Sequence, residues 1–198
     1  MSVPLRARRA TFWYLASDRI VAAVVARAER EPLLEACAAS YSPPVAGSLF
    51  APGVLEIAWV LGCEKAWHVA ALAAPFCRVG SANRSPADEH GGDAISGCSS
   101  LVSGAEGLTA WADEAAVAHA AAMFRRARLR LAALDCEPCA LASLAEALGS
   151  ADTEGARRQH LAAVSVLAGT EGSAEALGGD LAVPVGLAVA WFGAGRAH

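Results

Sequence analysis

Lysine is nearly missing from this chain: Lys65 stands alone against 15 arginines. Charged residues fill only 18% of the 198 positions, and the net charge is −4. A generic nucleic-acid binder needs a strongly basic face, so this balance argues against that class. Low charge beside 55% hydrophobic residues also excludes intrinsic disorder as a description of the whole chain. Aromatics are scarce, at 6%. A membrane span needs about 20 apolar residues in a row. The uncharged stretch from Ala36 to Leu55 is broken by Pro43, Pro44 and Pro52, and 181–195 is too short. Arg8-Arg9 raises the question of twin-arginine export, but Asp18 and Arg19 interrupt the apolar run such a leader requires. The expected location is the cytoplasm. G-x-x-x-x-G-K-[ST], a strand-borne G-x-G-x-x-G and G-x-S-x-G are all missing, so no cofactor and no catalytic residue are assigned.

What the chain has is alanine, 49 residues, with few β-branched residues beside it. That composition favours helix over sheet. The expected fold is mainly α: a single compact helical domain over residues 1–198, with a long Gly/Ser-rich loop at about 80–107. The spacing of Phe12, Leu15, Ile20 and Val24 predicts a helix over 11–30, and a short one follows Pro32 at 33–39. Breakers make 41–52 a loop, Val54 to Leu61 reads as a short helix, and 64–74 reads as another, ended by Pro75. The best helix runs from Asp113 to Leu134, acidic at its start and basic in its second half. Pro138 opens a helix closed by Gly149, and Asp152 or Thr153 caps one over 154–168. The tail beyond Leu181 is either a strand-like arm or a last helix begun at Pro184.

Six cysteines in a chain with no secretory signal read first as reduced, buried thiols. Cys136-Glu137-Pro138-Cys139 is a C-x-x-C at a helix start, where a thiol's pKa can fall. It is the rival metal or redox site. A structural zinc needs four ligands, and the sequence holds no second C-x-x-C or C-x-x-H. Cys63 and His68 lie five apart, a poor spacing for a local dyad, while His119 and His160 each stand alone on a predicted helix. Asp88-Glu89-His90 with Asp93 lacks the spacing of a calcium loop. Arg125, Arg126, Arg128 and Arg130 form the one charged run that suits an acidic partner; the plainer reading is a solvated helix end. The five tryptophans, Trp13, Trp59, Trp67, Trp111 and Trp191, are core by default, with one or two available as interface anchors.

Three segments carry a family resemblance: Leu49 to Ala70, Leu108 to Arg126, and Arg157 to Pro184, which ends "LGGDLAVP". Taken in order, they resemble the type III secretion sorting-platform accessory family, the YscK/OrgA group. The chain departs from that pattern in its long Gly/Ser loop and its apolar tail. The resemblance implies a non-catalytic cytoplasmic adaptor that bridges an inner-membrane ring protein and the cytoplasmic pod. Its partners would be other proteins of a secretion platform, with no nucleic acid, and its contact with the membrane would be only through them. The alternatives are a helical maturation chaperone and a small enzyme using Cys136 and Cys139.

Overall fold

The computed structural model describes residues 8–29, 31–81, 98–102 and 108–193. The expected helix over 11–30 is instead a hairpin. Strand β1 (Arg9–Leu15) turns at Ala16–Asp18 into the antiparallel β2 (Arg19–Ala26), and β3 (Leu33–Tyr41) pairs on β2 where a short helix was expected. Helix α1 (Val54–Val60) follows the 41–52 loop as expected. The next expected helix is strand β4 (Trp67–Leu72), which lies parallel to β1.

The remaining elements are β5 (Cys77–Ser81), β6 (Cys98–Val102), β7 (Leu108–Asp113), α2 (Glu114–Arg126), β8 (Arg130–Cys136) and α3 (Glu137–Leu148). They are followed by α4 (Thr153–Arg158), the two-residue β9 (Ser165–Val166), α5 (Glu171–Leu177) and α6 (Ala182–Gly193). The strands form a six-stranded mixed sheet in the order β8-β4-β1-β2-β3-β9 and a three-stranded sheet in the order β5-β7-β6.

The fold is therefore α/β, which overturns the mainly-α expectation. The reason lies in burial. From Ala10 to Leu15 and from Ile20 to Val25 every residue is buried. Phe12 and Tyr14 enter one core and Trp13 and Leu15 the other. A strand covered on both faces shows a continuous apolar run rather than alternation. Helical spacing can be found inside any such run, and the alanines tipped the choice.

The expected helix over 113–134 is half right. Asp113 caps it, accepting from the backbone N–H groups of Ala115 and Ala116. It ends at Arg126; Arg128 takes a left-handed φ of 59°, and the chain turns into β8, parallel to β4. Of the supposed 80–107 loop, residues 80–81 and 98–102 lie in strands, while 82–97 and 103–107 lie outside the described residues.

Layers cover the main sheet on both faces. Helices α3 and α6 bury Leu144, Val183 and Leu187 against Phe12 and Val21. On the other face α1 and α2 bury Ile57, Ala120 and Phe124 with Trp13. Between α3 and α6 the contact is so close that a Cβ on Gly186 would sit 2.2 Å from the Ala140 carbonyl oxygen. The stretch Glu171–Gly193 is apolar enough to cross a membrane by length and composition. In the fold its second half, α6, is a core helix with Ala182 to Ala188 buried.

Candidate functional site

Strands β1, β4 and β8 run parallel, so their carboxyl ends share one rim of the sheet. In open α/β sheets that rim is where ligands bind. Here it carries the densest group of chemically capable side chains among the described residues. Cys136 is the last residue of β8, paired with Leu72, and it is also the residue on which α3 begins. Pro138 fits the first turn of α3, where its missing N–H costs nothing. That turn brings the Cys136 thiol within 3.0 Å of the Cys139 sulfur. Asp135 lies beside them, its Oδ1 accepting from the Cys136 N–H at 2.8 Å. The ligand atoms of Asp135, Cys136 and Cys139 all lie within 4.8 Å of one another.

A third thiol approaches from far away in sequence. Cys77 follows β4, and its thiol donates to the carbonyls of Leu72 and Ala73 at 3.3 Å. Its thiol lies near that of Cys136 but outside the group formed by Asp135, Cys136 and Cys139. All three thiols are buried, at 0% exposure for Cys136, 1% for Cys139 and 5% for Cys77. The hydrogen bond with Cys139 pulls the Cys136 pKa down, but that with Cys77 and burial outweigh it, and the thiol is pushed up to about 12. A thiol held protonated and out of solvent is a poor nucleophile and a poor exchange partner. Burial raises the Asp135 carboxyl as well. Among the described residues no cation pairs with it.

Next to this group sits Glu137. Its Oε2 accepts from the Tyr14 hydroxyl at 3.0 Å and the Ala74 N–H at 2.9 Å, and its Oε1 accepts from Arg157 at 2.6 Å. Burial, and then Glu137, raise the pKa of Tyr14, so the phenol stays a donor. One carboxylate thus ties α3 to β1, to the segment after β4, and to α4. Sequence reasoning missed Glu137, Asp135 and Cys77. Asp135 and Glu137 flank Cys136 and so were within reach of the C-x-x-C argument. Cys77 had no local signal.

The other candidates separate. Cys63 donates to Ala58 O at 3.5 Å, whereas His68 Nδ1 accepts from Trp13 Nε1 at 3.0 Å, so the two form no dyad. His119 contacts Ser48 Oγ at 3.2 Å, and His160 contacts Arg157 O at 2.8 Å. Asp88, Glu89, His90 and Asp93 lie outside the described residues. Arg125 and Arg126 close α2, Arg128 sits in the turn, and Arg130 opens β8. All four are exposed, and none makes an ion pair among the described residues. Trp13 is fully buried, whereas Trp59 is 77% exposed.

A second surface lies at the opposite side of the sheet. Strand β9 pairs β3 only at Leu33 and Leu34, and Thr170 Oγ1 donates to the Glu35 carbonyl. Beyond that point no described strand pairs the outer edge of β3. Beside this edge runs a groove of about 420 Å³ lined by Ala38, Ser40, Pro52, Glu56, Ile57 and Val60. Leu55 and Trp59, one helical turn apart, stand exposed on the same helix.

No protein-family model matches the chain, and no curated protein matches it. Among solved structures it is similar to a PilM–PilN type IV pilus biogenesis complex, with 22% identity and a TM-score of 0.49 over 72% of this chain and 53% of that one. It is also similar to the cytoplasmic domain of EpsL, an inner-membrane component of the type II secretion system of Vibrio cholerae. There the identity is 11% and the TM-score 0.44, over 68% of this chain and 59% of that one. The chain thus spans just over half the length of the solved chains it matches. Both belong to pilus or secretion machinery, and neither is a type III sorting-platform protein. The first segment that carries the type III resemblance, Leu49 to Ala70, contains helix α1 followed by strand β4 rather than two helices.

Proposed function

We propose that this chain is a protein-binding adaptor of a bacterial secretion or pilus assembly, working at the cytoplasmic face and held near the membrane by its partners. The observation that carries the reading is the open edge of β3 beside an apolar groove. Outward backbone groups of Ala36 to Ser40 favour an extended strand as occupant, because only a strand can pair them in series. The groove lining of Pro52, Ile57 and Val60 suits alternate apolar side chains of that strand. Exposed Trp59 fits an interface anchor, a role in which tryptophan is enriched.

Bridging needs a second surface. Arg125, Arg126, Arg128 and Arg130 supply an unpaired cationic one at the β8 side, and β8 and β3 are separated in the sheet by β4, β1 and β2. That face suits an acidic partner.

The test uses the native partner, identified by crosslinking in cells of the source organism, and a synthetic peptide of its contacting segment. Binding should protect the backbone amides of Ala36 to Ser40 from hydrogen exchange and quench Trp59 fluorescence. Trp59→Glu with Val60→Asp should weaken binding about tenfold or more without lowering Tm. Protection confined to other segments, or undiminished affinity in the double variant, would reject the reading.

A further inference from the structure

The open edge of β3 gathers the apolar surface of the molecule. Every large apolar side chain that stands exposed among the described residues belongs to this strand or to a segment beside it. Tyr41 ends the strand, and Val45 and Leu49 lie in the loop that leaves it. Leu55, Trp59 and Val60 stand on α1, which borders the groove along the edge. Leu167 follows β9, its N–H donating to the Leu34 carbonyl. A monomeric protein rarely concentrates its exposed apolar surface in this way. We propose that the occupant of this patch is a second copy of the chain: two β3 edges pair antiparallel about a twofold axis near Ala38, joining two six-stranded sheets into one. The inference rests on the reading of the β3 edge as a docking surface and names the strand that docks there.

Charge is the first argument for a second copy. Edge strands are kept from pairing with their own kind by charges, proline or a bulge along the edge. The register of β3 against β2 jumps at Glu35, just where β9 stops covering the strand. From Ala36 to Tyr41 the register runs unbroken, and this stretch holds no charge and no proline. With the axis at Ala38, Ala36 lies opposite Ser40 and Glu35 lies opposite Tyr41. Like charges directly opposite are what destabilise a cross-strand pair, and here none meet.

Shape is the second. A twofold interface uses the same patch on both copies, so that patch must carry both a projection and a recess. Trp59, 77% exposed, is the projection. The recess is the groove of about 420 Å³, whose strand side offers only the small side chains of Ala38, Ala39 and Ser40. A twofold axis normal to the sheet keeps both α1 helices on one face of the joined sheet, facing each other across the paired strands. The dimer also leaves both arginine turns free, because β8 lies at the opposite edge of the sheet from β3. One assembly then presents two cationic surfaces at its outer ends, the arrangement a bridging protein needs.

The experiment is sedimentation of the full chain from about 1 to 100 μM, with hydrogen exchange read at both ends of that range. The mass should rise from 20.2 kDa to twice that value, and protection of the Ala36 to Tyr41 amides should rise with it. Ala38→Lys sets two ammonium groups face to face at the axis and should weaken association about tenfold or more, as should Ala38→Glu. Mixing these two variants should restore a dimer that neither forms alone, which also shows that both are folded. Trp59→Ala leaves the strand untouched and should weaken the dimer about tenfold or more at unchanged Tm. Three results would overturn the proposal: a single-copy mass throughout the range, a dimer whose concentration-dependent protection lies outside Ala36 to Tyr41, or Lys and Glu variants that each dimerise as well as wild type. A monomer whose Ala36 to Ser40 amides are protected only by a segment of another protein overturns the second copy and leaves the docking reading standing. A monomer in which no partner protects those amides overturns both.

Discussion

Protonating His68 inside the fold is unfavourable because the imidazole is completely buried, its Nδ1 occupied by Trp13 and its Nε2 without a partner. Burial lowers its pKa from 6.5 to about 4. The unfolded chain therefore takes up a proton as pH falls below about 6.5, whereas the folded chain resists until about 4. Stability contributed by neutral His68 is complete above pH 6.5 and is lost as the pH falls toward 4, by up to roughly 3 kcal/mol. His160 shifts in the same direction for the same cause and steepens the loss. Urea unfolding between pH 7.5 and 4.5 should show this slope, and His68→Gln should flatten it. Parallel profiles for the two proteins would remove His68 as the source. Glu137 is a different kind of residue, satisfied by three donors. Glu137→Ala should cost about 2–3 kcal/mol by stranding Arg157 and the Tyr14 hydroxyl, with Glu137→Gln losing less. Equal stabilities for the two variants would show that the carboxylate's charge and shape do not matter there.

Helices with local punctuation could be read from the residues, and strands could not. Asp113 and Asp152 cap α2 and α4 through their own side chains, and Gly149 closes α3 at a φ of 60°. Each of these acts within four residues of chain, so the letters record it. Removing the first cap, Asp113→Ala, should cost about 1 kcal/mol, visible as a lower urea midpoint with an unchanged denaturant slope. The strands β1, β2 and β4 carry no such marks. Their apolar residues point alternately to two cores, and which core receives Trp13 is settled by α1 and α2, elements well downstream. Helix α6 shows the same dependence. Gly186 reads locally as a helix weakener, yet it lets α6 lie against the backbone of α3. Gly186→Ala should therefore lower stability by about 2–3 kcal/mol, although alanine is the better helix former. A more stable variant would mean that the two helices can separate without loss.

At the scale of the whole molecule the sheet order sets two surfaces apart. The β3 edge and the arginine turn before β8 lie on opposite sides of β4, β1 and β2, so occupation of one should leave the other accessible. Arg126→Glu with Arg130→Glu should abolish a salt-sensitive association while sparing binding that protects Ala36 to Ser40. The salt dependence follows from screening over about 8 Å at physiological ionic strength. Simultaneous loss of both associations at unchanged Tm would merge the two surfaces into one.

By itself the sequence determined a protein with a buried apolar interior, the caps of its helices, the 41–52 loop and a C-x-x-C at the head of a helix, because composition and short-range backbone chemistry are written in adjacent residues. The tertiary structure alone decided that the alanine-rich N-terminal third is sheet, that β3 ends with an open edge, and that Cys77 comes to lie near Cys136 from 59 positions before it. Each of those depends on which segment covers which face, and that covering is chosen by packing between distant parts of the chain, where alanine's small volume permits helix and sheet alike.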